Sequence, residues 1–256
     1  MAEGAIQREA VTRDAVLGGR LVLHQPKKGH RAGSDAILLA AAAPAQISGL
    51  ALDVGAGVGT AGLALAALRP GLRIGLVEND PMLAALARQN LDANGLGERG
   101  VVYEADVLDP KSRRAAGLVD ARADFVISNP PFFEPGRVRV SPEAGKRTAH
   151  VMPAGGTLET WIAACLALLA EGGSFIMIHR VDALPEMLAA IVPRAGEITL
   201  LPIHPQAEKP AVRILLRAKK GSRAPLAIAP PFVLHAGQAF TPEAEAVHRG
   251  EALIAW

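Results

Sequence analysis

From residue 50 onward, short apolar runs alternate with longer stretches of helical periodicity, and glycine or proline separates most of them. Leu50–Val54 reads as a strand, Thr60–Leu68 as a helix, Arg73–Glu78 as a strand, and Pro81–Asn94 as a helix with Pro81 favourably in its first turn. Val101–Glu104 and Phe125–Ser128 are further strands. Leu158–Ala170 is a helix that Gly172-Gly173 should stop, Ser174–His179 a strand, and Ala183–Ile191 a helix. Ile198–Ile203 and Val212–Arg217 follow with no helix-length segment between them, so they must pair antiparallel. The pattern predicts an α/β fold of the Rossmann-like, doubly wound kind, with a mostly parallel seven-stranded sheet ending in an antiparallel pair.

The two ends read differently. Val16-Leu17 and Leu21-Val22-Leu23 flank Gly18-Gly19, the signature of a small N-terminal hairpin. Ser34 or Asp35 could cap a helix over Ala36–Gln46. The tail reads as loop, one strand over Ala227–His235 and a helix over Pro242–Ile254. Three units are expected: hairpin and covering segment (1–34), central domain (35–221) and C-terminal extension (222–256).

Composition narrows the class. Half of the 256 residues are hydrophobic and 20% are charged, which suits a packed globular chain and not a disordered one. A net charge of +2 is too small to require a nucleic-acid partner, although arginines in loops permit one. The lone cysteine, Cys165, lies in an apolar helical stretch and reads as a buried small side chain in a reducing compartment. Pro44, Gln46, Ser48 and Asp53 interrupt the alanine-rich region too soon for a membrane span, and Met1–Asp14 lacks a signal peptide's apolar segment. A cytoplasmic protein without membrane attachment is expected. The scattered histidines suggest no metal site.

Candidate chemistry clusters at strand ends. Asp53-Val54-Gly55-Ala56-Gly57-Val58-Gly59 joins the first strand of the alternating region to its helix. Glycines allow close approach of a ligand, and the helix N-terminus offers free N–H groups. A dinucleotide fingerprint would want its third glycine where Thr60 stands. Glu78, with Asn79 after it, ends the next strand 25 positions after Asp53 and could accept from both hydroxyls of a ribose, whichever nucleoside carries it. Asp106-Val107 follows the third strand and could reach an adenine amine by side chain or backbone, with Glu104 and Asp109 as acidic competitors.

Asn129-Pro130-Pro131-Phe132 follows the strand Phe125–Ser128. An Asn side-chain oxygen and a neighbouring proline carbonyl can accept both N–H bonds of a planar amine, while the Phe132 ring offers a stacking face. The plainer reading is a turn, since proline cannot continue a ladder.

Taken in order, these motifs resemble the class I S-adenosylmethionine-dependent methyltransferases of the Asn-Pro-Pro-Phe/Tyr amino-methylating type, over most of residues 20–220. The glycine run resembles their motif I, which implies that Asp53 faces the methionine ammonium, with Gly55, Ala56, Gly57 and Gly59 around the cofactor. Gln25-Pro26-Lys27-Lys28-Gly29-His30-Arg31, then Ser34-Asp35-Ala36-Ile37-Leu38, is similar to the corresponding segment of bacterial tRNA1(Val) adenine-N6 methyltransferases. In that family the segment closes over the cofactor, which implies Asp35 near its methionine moiety. The segment from Phe133 to Gly156 reads as a loop that varies within the family, and the tail beyond 221 has no counterpart in the resemblance.

The resemblance implies catalysis by Asn129, Pro130, Pro131 and Phe132, with Asn129 also against the cofactor, and a tRNA partner. Lys27, Lys28, Arg31, Arg137 and Arg139 flank the expected pocket and could contact phosphates, as could Lys146 and Arg147, with His150 close by; an ordinary solvated surface is the alternative for each. A release-factor glutamine or an rRNA guanine N2 could be the methylated amine instead, although glutamine methyltransferases usually carry a separate helical N-terminal domain. A non-catalytic nucleotide-binding module is the reading of another class, opposed by the intact Gly55, Gly57, Gly59, Glu78 and Asn129; a dehydrogenase is disfavoured by Thr60.

Overall fold

Residues 11–27, 33–131 and 156–256 are described by the computed structural model. The alternating region forms β3 (Gly49–Val54), α2 (Thr60–Leu68), β4 (Leu72–Glu78), α3 (Pro81–Ala93), β5 (Gly100–Glu104), α4 (Pro110–Ala115), β6 (Ala123–Ser128), α5 (Leu158–Leu168), β7 (Leu169–Arg180), α6 (Leu184–Ile191), β8 (Ala195–His204) and β9 (Arg213–Lys220). Before it stand β1 (Val11–Val16), β2 (Leu21–Pro26) and α1 (Ser34–Ala41). After it come β10 (Ala227–Ile228), β11 (Phe232–Val233), β12 (His235–Ala236), β13 (Ala239–Phe240) and α7 (Pro242–His248).

Strands β7, β6, β3, β4 and β5 lie side by side in parallel. β9 inserts antiparallel between β7 and β8, so the expected seven-stranded sheet and its antiparallel ending are both present. Two short tail strands, β10 and β11, add to the outer edge of β8, making nine among the described residues. From β3 the chain winds outward through β4 and β5, then returns to β6 on the other side of β3. That reversal opens a crevice at the carboxyl ends of β3 and β6, where ligands bind in open α/β sheets.

Apolar side chains fill both faces. One layer joins α1, α2 and α3 to Leu72, Ile74, Leu76, Phe125 and Ile127, and takes in the hairpin leucines Leu17, Leu21 and Leu23. The other joins α5 and α6 to Leu52, Val54, Val77, Val126, Phe175 and Met177. Ala36 through Ala41 are all buried, because α1 is enclosed on more than one side by the sheet, α2 and the tail helix.

Several expected boundaries moved. Ser34 and Asp35 lie inside the first turn of α1, whose N-cap is Gly33, and the helix ends at Ala41, short of Gln46. Gly172-Gly173 does not stop α5, which ends at Leu168; both glycines sit inside β7. The single tail strand is broken into short pieces because Pro230 and Pro231 remove two ladder donors, and the tail helix ends at His248. The six-residue α4 was not anticipated; Asp109 caps it by accepting from the Lys111 N–H, with Pro110 at its start.

The N-terminal hairpin pairs β1 with β2 antiparallel, as expected. β2 then runs against α3: Val22 meets Asn94 at the helix C-terminus, and His24 meets Asn90 one turn earlier. Its direction is toward the α3 N-terminus, and therefore toward the carboxyl edge of the sheet.

Candidate active site

The register places Val54 of β3 beside Ser128 of β6 and Val77 of β4. The residues that follow these strand ends therefore share one rim: the glycine loop after β3, Asn79 after β4, and Asn129 after β6.

The glycine loop has left-handed backbone at three positions, with φ of 75° at Gly55, 58° at Gly57 and 90° at Gly59. Close packing adds a second demand at two of them. A Cβ on Gly55 would lie 2.9 Å from the Trp161 ring, and one on Gly59 would lie 2.8 Å from Leu76. A Cβ on Gly57 would meet nothing within 4 Å, so the middle of the loop faces open space.

Two carboxylates hold this loop. Asp53 is buried and accepts from the Gly62 N–H of α2 at 2.7 Å. Burial pushes its pKa up to about 7; the Gly62 bond opposes that shift and the Glu78 charge adds to it. Glu78 is also buried, and one oxygen accepts from the Gly57 N–H at 2.7 Å. Its other oxygen accepts from the Asn79 and Asp80 N–H groups at 2.9 Å each. Burial raises the Glu78 pKa as well, against the pull of those bonds. Neither acid forms an ion pair with a described residue. Two buried acids without a cation make a site that favours a positively charged ligand.

Asp106, after β5, is half-buried; its side chain accepts from the Leu108 N–H and its own N–H donates to Ser112. Val107 is buried beside it, its carbonyl accepting from Arg113. Asp35, on α1, accepts from the Arg213 guanidinium at 2.9 Å. Arg213 begins β9 opposite Arg180 at the end of β7, so this ion pair sits at the carboxyl edge of the sheet. Asn129 is half-buried, Pro130 buried and Pro131 half-buried. Lys27 is exposed just beyond β2. Phe132, Lys28, Arg31, Arg137, Arg139, Lys146, Arg147 and His150 lie outside the described residues.

Three residues that support the elements around this rim escaped sequence reasoning. Trp161 reads as a core residue of α5, yet its indole packs on Gly55 and donates to Ser128. Asn90 and Asn94 read as ordinary helix-surface amides, yet Asn90 is fully buried and both bind β2. Their four-residue spacing, on one helix face, was the available signal. Cys165 is buried as expected, its thiol pKa raised by burial. Among the described residues no cluster of His, Cys, Asp and Glu could hold a metal ion, and no helix is long and apolar enough to cross a membrane.

The strand order, the glycine loop at its reversal and the acid after the second strand are the arrangement with which open, doubly wound α/β sheets bind nucleoside cofactors. Residues 31–180 match the methyltransferase small domain model, and the chain belongs to that family. A relative from Pectobacterium carotovorum, named tRNA1(Val) (adenine(37)-N6)-methyltransferase, is 32% identical over 193 residues, 73% of each chain. One of the same name from Porphyromonas gingivalis is 37% identical over 108 residues; that match spans 42% of the relative's length and 41% of this chain. A solved structure from Agrobacterium tumefaciens, described as a predicted O-methyltransferase, superposes with a TM-score of 0.71 at 34% identity, over 87% of this chain and 99% of that one.

Proposed function

We propose that this protein transfers a methyl group from S-adenosylmethionine to the exocyclic N6 amine of an adenine in tRNA, with a valine tRNA as substrate. The observation that carries the cofactor is the pair of buried acids, Asp53 and Glu78, bracketing a glycine loop with no described cationic partner. The names of relatives aligned over nearly three quarters of the chain support the tRNA adenine.

Bound S-adenosylmethionine supplies an electrophilic methyl on a sulfonium. In this reading Asp53 faces the methionine ammonium, Gly55, Ala56, Gly57 and Gly59 line the cofactor, and Glu78 and Asn79 hold the ribose. Asp106 and Val107 meet the adenine, with Asp35 on the methionine side. The side-chain oxygen of Asn129 and the carbonyl of Pro130 accept the two amine N–H bonds, favouring a pyramidal nitrogen whose lone pair points at the methyl. Asn129 is no base, because an amide does not titrate usefully; the amine loses its proton after transfer has made it acidic. Catalysis is then mostly positioning, which supplies roughly 7–11 kcal/mol in ideal geometry. Pro131 stiffens the turn, and Phe132 stacks on an adenine swung out of its surroundings. Lys27, Lys28, Arg31, Arg137 and Arg139 contact tRNA phosphates, so affinity falls with added salt.

The test is transfer of labelled methyl to total small RNA, followed by nucleoside mass spectrometry. Label as N6-methyladenosine in a valine tRNA, lost in Asn129→Ala while S-adenosylhomocysteine still binds, establishes the reading. Label in guanosine, a release factor or ribosomal particles keeps the chemistry and overturns the substrate.

A further inference from the structure

Asn90 uses all of its hydrogen-bonding capacity inside the protein. Its side-chain oxygen accepts from the His24 N–H at 2.7 Å, and the His24 Nδ1 lies 3.1 Å from the same oxygen. Its amide nitrogen donates to the His24 carbonyl at 3.0 Å and to the Val58 carbonyl at 2.9 Å. Both carbonyls can only accept, so the amide orientation is determined. Asn94 repeats half of the pattern: it accepts from the Val22 N–H and donates to the Val22 carbonyl, both at 2.8 Å. Together the two amides act as an extra strand along the free edge of β2. Only Asn90 also reaches the glycine loop.

The loop is thus gripped from two sides. Glu78 holds the Gly57 N–H, and Asn90 holds the carbonyl of the next residue, Val58. A carboxylate that turns to a ribose gives up part of its grip, whereas Asn90 stays buried behind the loop. The same amide carries His24, two residues before Pro26, where β2 ends near the carboxyl edge.

We propose that Asn90 is a positioning residue that couples the N-terminal hairpin to the cofactor loop, so that docking of β2 and binding of S-adenosylmethionine reinforce each other. Ordering the Val58 carbonyl orders His24 through one rigid amide, and a ligand that fixes the loop tightens the hairpin by linkage. The inference rests on the glycine loop being the cofactor site.

The test compares Asn90→Ala with Asn94→Ala. Calorimetry should show S-adenosylhomocysteine weakened about tenfold by Asn90→Ala, as expected for loss of one or two net hydrogen bonds, with the kinetic loss in the cofactor KM more than in kcat. Asn94→Ala, which loses the Val22 bonds and a bond to the Asn90 carbonyl but none to the glycine loop, should change affinity less than about threefold. Equal losses in the two variants overturn the coupling, as does unchanged affinity in a folded Asn90→Ala protein. Wild-type protein supplies a second readout if the variant does not fold: S-adenosylhomocysteine should slow amide exchange across residues 21–25. Slowing confined to residues 55–59 overturns the proposal. Failure of the wild type to bind S-adenosylhomocysteine at all removes the cofactor reading, and this inference with it.

Discussion

The indole N–H of Trp161 donates to the hydroxyl of Ser128 at 3.0 Å, and that hydroxyl donates to the Val54 carbonyl at 2.8 Å. One buried chain of two bonds therefore ties α5 to the last residues of β6 and β3, directly before Asn129 and Gly55. The strand ends that present the two halves of the site are locked to each other by a residue that touches neither substrate nor cofactor in the proposed mechanism.

Trp161→Phe keeps an aromatic ring on α5 but removes the indole donor to Ser128. A stability loss of about 0.5–1.5 kcal/mol is expected from the lost hydrogen bond. Because Asn129 loses its fixed neighbour, kcat should fall about tenfold, the effect of roughly 1.4 kcal/mol on a barrier. Steady-state kinetics beside thermal denaturation checks this; an unchanged kcat in the folded variant means β6 is held without the indole.

Gly62→Ala should destabilise, although alanine in a helix interior normally stabilises relative to glycine. A Cβ there would lie 2.4 Å from the buried Leu76 and 3.1 Å from Asp53. Overpacking of this kind costs about 1–3 kcal/mol. It also displaces the N–H that Asp53 accepts, so cofactor affinity should fall with the midpoint of denaturant unfolding. A midpoint equal to or above wild type contradicts the close packing.

Asp53 makes two pH effects of opposite sign. Its folded-state pKa, about 7, lies above the ordinary 3.8, so the folded, cofactor-free protein holds the proton more tightly than the unfolded chain. Its stability contribution is fully present below pH 3.8 and is lost as pH rises through about 7. Glu78, raised by burial, adds in the same direction. A cationic ligand prefers the carboxylate, so affinity for S-adenosylhomocysteine should weaken as pH drops below about 7. Calorimetric titration across pH 5–8, roughly the range spanning that transition, should show this slope in wild type and a flatter one in Asp53→Asn. Equal slopes would assign the proton elsewhere.

Trp256→Ala tests the tail. The Trp256 indole donates to the Ala42 carbonyl at 2.8 Å, the Ile254 N–H donates to Ala41, and the Arg217 guanidinium lies 4.7 Å above the Trp256 ring. The tail thus satisfies carbonyls left open at the C-terminus of α1. Loss of the indole should cost about 1–3 kcal/mol, one hydrogen bond and one cation–π contact with their packing. The measurement is the thermal midpoint with and without S-adenosylhomocysteine; no shift in either would show that the tail is not part of the cooperative unit.

The candidate site was legible in part, for a physical reason. Asp53, Glu78 and Asn129 were readable because each occupies a strand end, and strand ends follow from the alternation of apolar runs with helices. The glycines were readable because left-handed backbone demands them. Trp161, Asn90 and Asn94 were not, since an indole or an amide on a helix says nothing of its partner until the helix is docked. Likewise Asp35 carried no sign of Arg213, which lies 178 residues further along the chain.

By itself, the amino-acid pattern determined most of the strands and helices of the alternating region, that the sheet is mostly parallel, and that its last long pair is antiparallel. These follow from local periodicity and from the length a parallel crossover requires. Tertiary structure alone decided that β9 inserts between β7 and β8, that the tail adds two strands at the edge, and that β2 docks on α3 through two amides. Those outcomes depend on which buried donors and acceptors find partners far away in sequence, and an unmet buried polar group costs enough to choose among packings that periodicity leaves equal.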